Sequence, residues 1–157
     1  MEEKFLKILN ENRNILHKIS RLYRDSNEDQ QDLFQEIVYQ LWKSFPGFRQ
    51  EAKVSTWIYR IALNTAIVAY RKPKISYDHS GEIPEKFQME KLTHISENEE
   101  RMFAALKKLN DAEKAIISLF LEDYSYHEIA GITGITENYV GVKMSRIKEK
   151  LKLILNK

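Results

Sequence analysis

The chain contains no cysteine, which removes disulfide frameworks, thiolate metal sites, cysteine nucleophiles and thiol-based redox sensing together. It also lacks any stretch of the roughly 20 apolar residues that a membrane-spanning helix needs. The N-terminus, MEEKFLKILNEN, is charged and amphipathic and has neither the apolar run nor the small-residue cleavage site of a secretory signal. These absences predict a cytoplasmic protein with no direct membrane insertion. Glycine is confined to positions 47, 81, 131, 134 and 141, and neither a GxxxxGK[ST] phosphate loop nor a GxSxG elbow occurs. His17, His79, His94 and His127 are scattered without ligand spacing, so neither a metal nor any other cofactor is expected. No small-molecule substrate or catalysis of its own is expected either.

Net charge is small as well. The 25 Lys and Arg against 23 Asp and Glu leave +2, too little to mark a nucleic-acid binder without regard to distribution. That distribution is uneven. Residues 1–72 carry 12 basic and 9 acidic side chains, residues 101–157 carry 10 and 7, and residues 73–100 carry 3 and 7. Two mildly basic blocks therefore flank an acidic stretch. This stretch also holds Pro73, Gly81 and Pro84 and lacks sustained apolar periodicity, as an extended linker does. The expected organisation is all-α: a helical domain over 1–72, an acidic linker over 73–100 and a second helical domain over 101–157.

In the first block, Phe5, Leu6, Leu9, Ile15, Leu16, Ile19 and Leu22 recur at the three- and four-residue intervals of a helix burying one face. After a break over residues 25–31, the pairs Leu33/Phe34, Ile37/Val38 and Leu41/Trp42 form a broad apolar stripe. Asp32, Gln35, Glu36 and Gln40 lie on its polar side. Pro46 and Gly47 force a loop over residues 45–55, and Thr56 is suited to cap a helix from Trp57 to about Arg71, with Trp57 and Ile61 facing inward. The loop is aromatic and basic for its length.

In the second block, Met102, Phe103, Leu106 and Leu109 mark one helix. Asn110 or Asp111 can cap the next, whose apolar face is Ile116, Ile117, Phe120 and Leu121. The stretch SYHEIAGITGITENYVGVKMSRIKEKL then has the grammar of a helix-turn-helix. A short helix carries Ile129 and the small Ala130, Gly134 makes the tight turn, Ile135 plugs the core, and Thr136 caps a second helix. On that helix Val140, Met144, Ile147 and Leu151 should pack inward. Gly141, Val142, Ser145 and Arg146 then face outward, with Lys143 and Lys150 as flanking phosphate ligands.

Taken together, these segments resemble the extracytoplasmic-function (ECF) sigma factors of bacterial RNA polymerase, the class with regions 2 and 4 only. Asp32-Leu33-Phe34-Gln35-Glu36-Ile37-Val38-Tyr39-Gln40-Leu41-Trp42 is similar to region 2.2. Phe48-Arg49 and Ser55-Thr56-Trp57-Ile58-Tyr59-Arg60-Ile61-Ala62-Leu63-Asn64 resemble regions 2.3 and 2.4. Ser125-Tyr126-His127-Glu128-Ile129-Ala130 and Gly134-Ile135-Thr136-Glu137 resemble region 4.2.

The resemblance implies a protein that binds core RNA polymerase and directs initiation at promoter DNA. It assigns Asp32, Gln35, Glu36 and Gln40 to the polymerase interface. It assigns Phe48 and Asn64, with Lys53, Tyr59 and Arg60 beside them, to melted minus-10 bases, for which aromatic faces and a basic groove are chemically suited. Gly141, Val142, Lys143, Ser145, Arg146 and Lys150 fall to the minus-35 duplex. Members commonly carry a basic residue and a serine where this chain has Gly141 and Val142. That exchange suggests closer backbone approach at Gly141 and a thymine-methyl contact at Val142. An anti-sigma factor is a further implied partner, and the acidic stretch, with Glu82, Glu85 and Glu90, is expected either as a solvated tether or as a segment threading the polymerase channel. The alternative is a stand-alone helix-turn-helix regulator, which leaves the 32–42 and 48–64 segments without a role.

Overall fold

The computed structural model describes residues 2–48, 53–71 and 96–156, with side chains in the second segment given as far as residue 67. The described residues form eight α-helices and one short 3-10 turn, and no strand occurs among them. They divide into two units, residues 1–91 and 92–157.

In the N-terminal unit, α1 (Glu2–Glu11) and α2 (Arg13–Tyr23) draw on one run of apolar positions but part at Asn12. The side chain of Asn12 donates to the Ile8 carbonyl at 2.9 Å. α3 (Asn27–Ser44) begins well before Asp32, because the Ser26 hydroxyl accepts from Asp29 N at 3.1 Å and Glu28 and Asp29 suit the positive end of the helix. A 3-10 turn (Phe45–Gly47) follows, then α4 (Val54–Arg71). Thr56 is therefore not the cap: Trp57 N already donates to Lys53 O at 3.1 Å. The Trp57 ring stacks on Phe48 at 4.5 Å, so packing rather than a capping hydroxyl sets this boundary.

α2, α3 and α4 pack on one another around Leu16, Ile19, Leu22, Phe34, Ile37, Leu41, Ile58 and Ala62, all buried. α1 joins them by setting Phe5 against Trp42 and Phe45, with centroids 4.9 and 5.3 Å away. Arg24, just past α2, donates to the Ala66 carbonyl of α4 at 3.2 Å. The inward face of α4 differs from the one expected. Ile58, Tyr59, Ala62, Leu63 and Ala66 are buried, whereas Trp57 and Ile61 are half-buried.

In the C-terminal unit, α5 (Glu97–Lys107) takes up the end of the expected acidic linker. Ser96 accepts from Glu99 N at 3.2 Å, and Glu97, Glu99 and Glu100 form the first turn, where carboxylates are favoured. Residues 73–95 of that linker, including Glu82, Glu85 and Glu90, lie outside the described residues. α6 (Asp111–Leu121), α7 (Tyr126–Thr133) and α8 (Glu137–Leu155) complete the unit. Its core is built on Leu106, Ile116, Leu119, Ile129, Val140, Met144 and Ile147. Leu119 is buried and Leu121 is exposed because α6 ends there and the chain turns away through Asp123 at φ 66°. Met102 is exposed and Leu151 half-buried.

Asn110 caps α6 in a reciprocal box: its Oδ1 accepts from Glu113 N at 2.8 Å, and Glu113 Oε1 accepts from Asn110 N at 3.0 Å. The other carboxylate oxygen, Oε2, accepts from Lys150 Nζ of α8 at 2.7 Å. Burial of Glu113 by itself raises its pKa, but the hydrogen bonds from Lys150 and Asn110 and the charges of Lys150 and Lys143 outweigh it and hold the carboxyl below its usual 4.5. A depressed folded-state pKa contributes stability above the unfolded-state value and loses it as pH falls through the folded one. Glu113→Gln should therefore lower the stability of the full chain at pH 7 by about 1–2 kcal/mol. The gap to wild type should shrink as pH falls below 4.5. Thermal melts followed by circular dichroism across pH check this, and a gap independent of pH contradicts it.

Candidate nucleic-acid interface

The helix-turn-helix is assembled by local hydrogen bonds that the residue types dictate. Ser125 Oγ accepts from Glu128 N at 3.1 Å and Glu128 Oε1 from Ser125 N at 3.0 Å, boxing the start of α7. Gly134 sits at φ 81°, the left-handed region that favours glycine, and its N–H closes on Ala130 O at 2.9 Å. Thr136 Oγ1 accepts from Tyr139 N at 3.1 Å and starts α8. Ile135 is half-buried beneath the turn.

Seven residues carry α8 through almost two turns, so the buried Val140, Met144 and Ile147 fix which side faces out. Val142, Ser145 and Arg146 are exposed there, and Val142 keeps 43% of its surface. Three expected contacts differ. Lys150, expected as a phosphate ligand, is paired with Glu113 at 2.7 Å. Gly141 is half-buried, and a β-carbon on it would lie 3.7 Å from the Tyr126 ring, so this position faces α7 rather than open groove. Lys143 is half-buried on the same flank as Lys150, with its ammonium 5.6 Å from the Tyr139 ring centroid. Sequence reasoning passed over Asn138 and Tyr139, both exposed on the first turn of α8. His127 is on the surface, with Nδ1 3.4 Å from Glu137 Oε2.

The N-terminal unit presents a second surface. Lys53, just before α4, and Arg60 and Asn64 on it are exposed and recur at helical spacing on one side. Phe48 is half-buried and is held at the start of that side by its stack on Trp57, rings inclined by 24°. Tyr59 does not join them. It is 1% exposed on the opposite side of α4, with Lys18 Nζ 3.4 Å from its hydroxyl, so it has no face to offer a base. Tyrosine at this position belongs to the core.

On α3, Asp32 is exposed and Gln35, Glu36 and Gln40 are half-buried, with Gln40 Nε2 donating to Glu36 Oε1 at 3.0 Å. Tyr39 and Lys43, which sequence reasoning passed over, extend this polar stripe, and the spacing 32, 36, 39, 43 is the signal that could have found them.

The chain matches the Sigma-70 region 2 family over residues 8–74 and the Sigma-70, region 4 family over residues 99–151. It is 30% identical over 152 residues to the ECF RNA polymerase sigma-E factor of Escherichia coli strain K12, covering 86% of this chain and 79% of that protein. The RNA polymerase sigma factor SigV of Bacillus subtilis is 29% identical over 142 residues, covering 90% and 84%. Among solved structures, the sigma factor RpoE of Bartonella quintana, in complex with the anti-sigma factor NepR, superposes with a TM-score of 0.70 at 19% identity, covering 98% of this chain and 95% of that one. A polar helix face, a basic α4 surface and a helix-turn-helix thus fall within two sigma-70 regions in order. The chain belongs to the ECF family of RNA polymerase sigma factors. Sigma factors are specificity subunits of the polymerase, and this chain serves promoter-directed transcription initiation with that enzyme. Among the described residues no helix is long and apolar enough to cross a membrane, and no cluster of His, Cys, Asp or Glu could hold a metal.

The two helical glycines of this unit yield a direct check. A β-carbon at Gly131 would meet no atom within 4 Å, and one at Gly141 would make ordinary contact with Tyr126. Gly131→Ala and Gly141→Ala should each stabilise the unit by up to about 1 kcal/mol in thermal melts. Because Gly141 faces Tyr126, its alanine variant should keep duplex affinity within about twofold. A larger loss would restore Gly141 to the DNA contacts.

Proposed function

We propose that the C-terminal unit reads minus-35 duplex through Val142, Ser145 and Arg146 of α8. The N-terminal unit captures melted minus-10 bases on Phe48, Lys53, Arg60 and Asn64. Asp32, Gln35, Glu36 and Gln40, with Tyr39 between them, meet the largest polymerase subunit. The observation that carries this reading is the α8 stripe: a capped helix-turn-helix leaves Val142, Ser145 and Arg146 exposed on the side opposite its anchor. An apolar side chain in that stripe suits a thymine methyl, and arginine suits guanine or phosphate. On the α4 surface, lysine, arginine and asparagine beside a stacked aromatic pair suit a single strand.

A stand-alone regulator would need only residues 96–156, and the region 2 match over residues 8–74 argues against it. The chain acts in the cytoplasm and contributes no catalysis of its own. An anti-sigma factor is part of the proposal. Support comes from the RpoE structure with NepR and from that of CnrH with the cytosolic domain of CnrY, the latter at TM-score 0.69 and 17% identity.

Run-off transcription with bacterial core polymerase and genomic promoter fragments tests the reading. Specific initiation is expected with the full chain. The Asp32→Ala, Gln35→Ala, Glu36→Ala variant should lose about tenfold or more in core affinity while keeping duplex binding. Phe48→Ala and Asn64→Ala should leave core affinity intact and impair promoter opening. Duplex binding without core binding or initiation would instead establish a stand-alone regulator.

A further inference from the structure

Asn138 is the second residue of α8, four residues before Val142 and seven before Ser145, and all three are exposed. At 3.6 residues per turn they line one side of the helix, opposite Val140, Met144 and Ile147. Neighbouring groups at this helix start are engaged locally. Thr136 supplies the cap to Tyr139 N, and Glu137 lies 3.4 Å from His127. Among the described residues no hydrogen bond engages the Asn138 carboxamide. The far end of the same line carries Glu149, exposed, whose carboxylate disfavours approach to phosphates. DNA contact is thereby confined to the first three turns, with Asn138 leading.

We infer that Asn138 is a specificity-determining residue that reads an adenine in the minus-35 duplex, an inference that rests on the reading of α8 proposed above. A carboxamide matches the adenine edge in the major groove: Nδ2 donates to N7 while Oδ1 accepts from N6. Val142, about 6 Å further along the helix axis, meets a thymine methyl within about two base steps of it. The preferred element accordingly contains an adenine and a thymine at that separation, read by one hydrogen-bonding and one apolar side chain.

The test uses holoenzyme reconstituted from core polymerase and the full chain, on a promoter recovered by run-off transcription with its minus-35 region randomised. Wild type should enrich an adenine at one position. Asn138→Ala, exposed and neutral to the core, should retain the rest of the motif, flatten that position alone and bind the selected sequence about tenfold more weakly. Val142→Ala should instead relax a neighbouring thymine. Adenine preference kept by Asn138→Ala overturns the inference and leaves the minus-35 reading in place. A wild-type selection with no minus-35 motif overturns both.

Discussion

Glu113 is buried in the C-terminal unit, yet its two oxygens reach two helices, one at the Asn110 N–H that starts α6 and the other at the Lys150 ammonium on α8. A carboxylate out of water is costly unless paired and hydrogen-bonded, so the arrangement is favourable only when both partners are in place. The apolar contacts of Val140, Met144 and Ile147 press α8 onto the unit without direction. The ion pair adds direction, tying a point in the fourth turn of α8 to the first turn of α6. Rotation of α8 about its axis is then restricted from both ends, by Lys150 near one and the Thr136 cap at the other. Which residues form the outward line follows from that restriction.

The N-terminal unit solves the corresponding problem with rings. Phe5, Trp42 and Phe45 form one cluster, Phe45 and Trp57 are 6.2 Å apart, and Trp57 carries Phe48. These contacts join α1, the end of α3 and the start of α4, so the 3-10 turn is packed from both sides. Each such pair contributes about 0.5–1.5 kcal/mol beyond its buried area, and each also fixes a ring plane. In the proposed minus-10 role the plane of Phe48 matters most, since a base stacks only on a face held in place.

Much of this was legible because it is local. Caps at Thr136 and Asn110 use partners within three residues, and the stripes of α3 and α8 repeat with the helical period. What escaped was set by distant partners or by side-chain size. Nothing near Lys150 in sequence announces Glu113, 37 residues away. On α4 the bulky Trp57 and Ile61 looked like the core side, but Ala62 and Ala66 let neighbouring helices approach closely and place Ile58 and Tyr59 inward. Apolar volume is a poor guide where close helix packing selects small residues. The start of α5 was hidden by composition. Glu97, Glu99 and Glu100 read as a linker's charge, although behind Ser96 they are the charges a helix N-terminus favours.

Charge and burial together explain how a chain of net +2 can work on DNA. Lys150 is neutralised by Glu113, and Lys143 lies toward the same side of α8, so few cations remain on the outward line. Non-specific affinity scales with the number of phosphates neutralised, so the proposed reading expects it to be low for the free protein. Specificity then rests on base edges, which an apolar valine and an uncharged stripe can read only if something else holds the helix at the groove. In the proposed reading core polymerase supplies that hold. In the proposed reading, with the α3 face docked and two DNA-facing units in one chain, each contact would form at an effective concentration far above that of free protein. On that reading a weakly charged helix would keep the free factor off bulk DNA while leaving promoter choice to side chains that discriminate between bases.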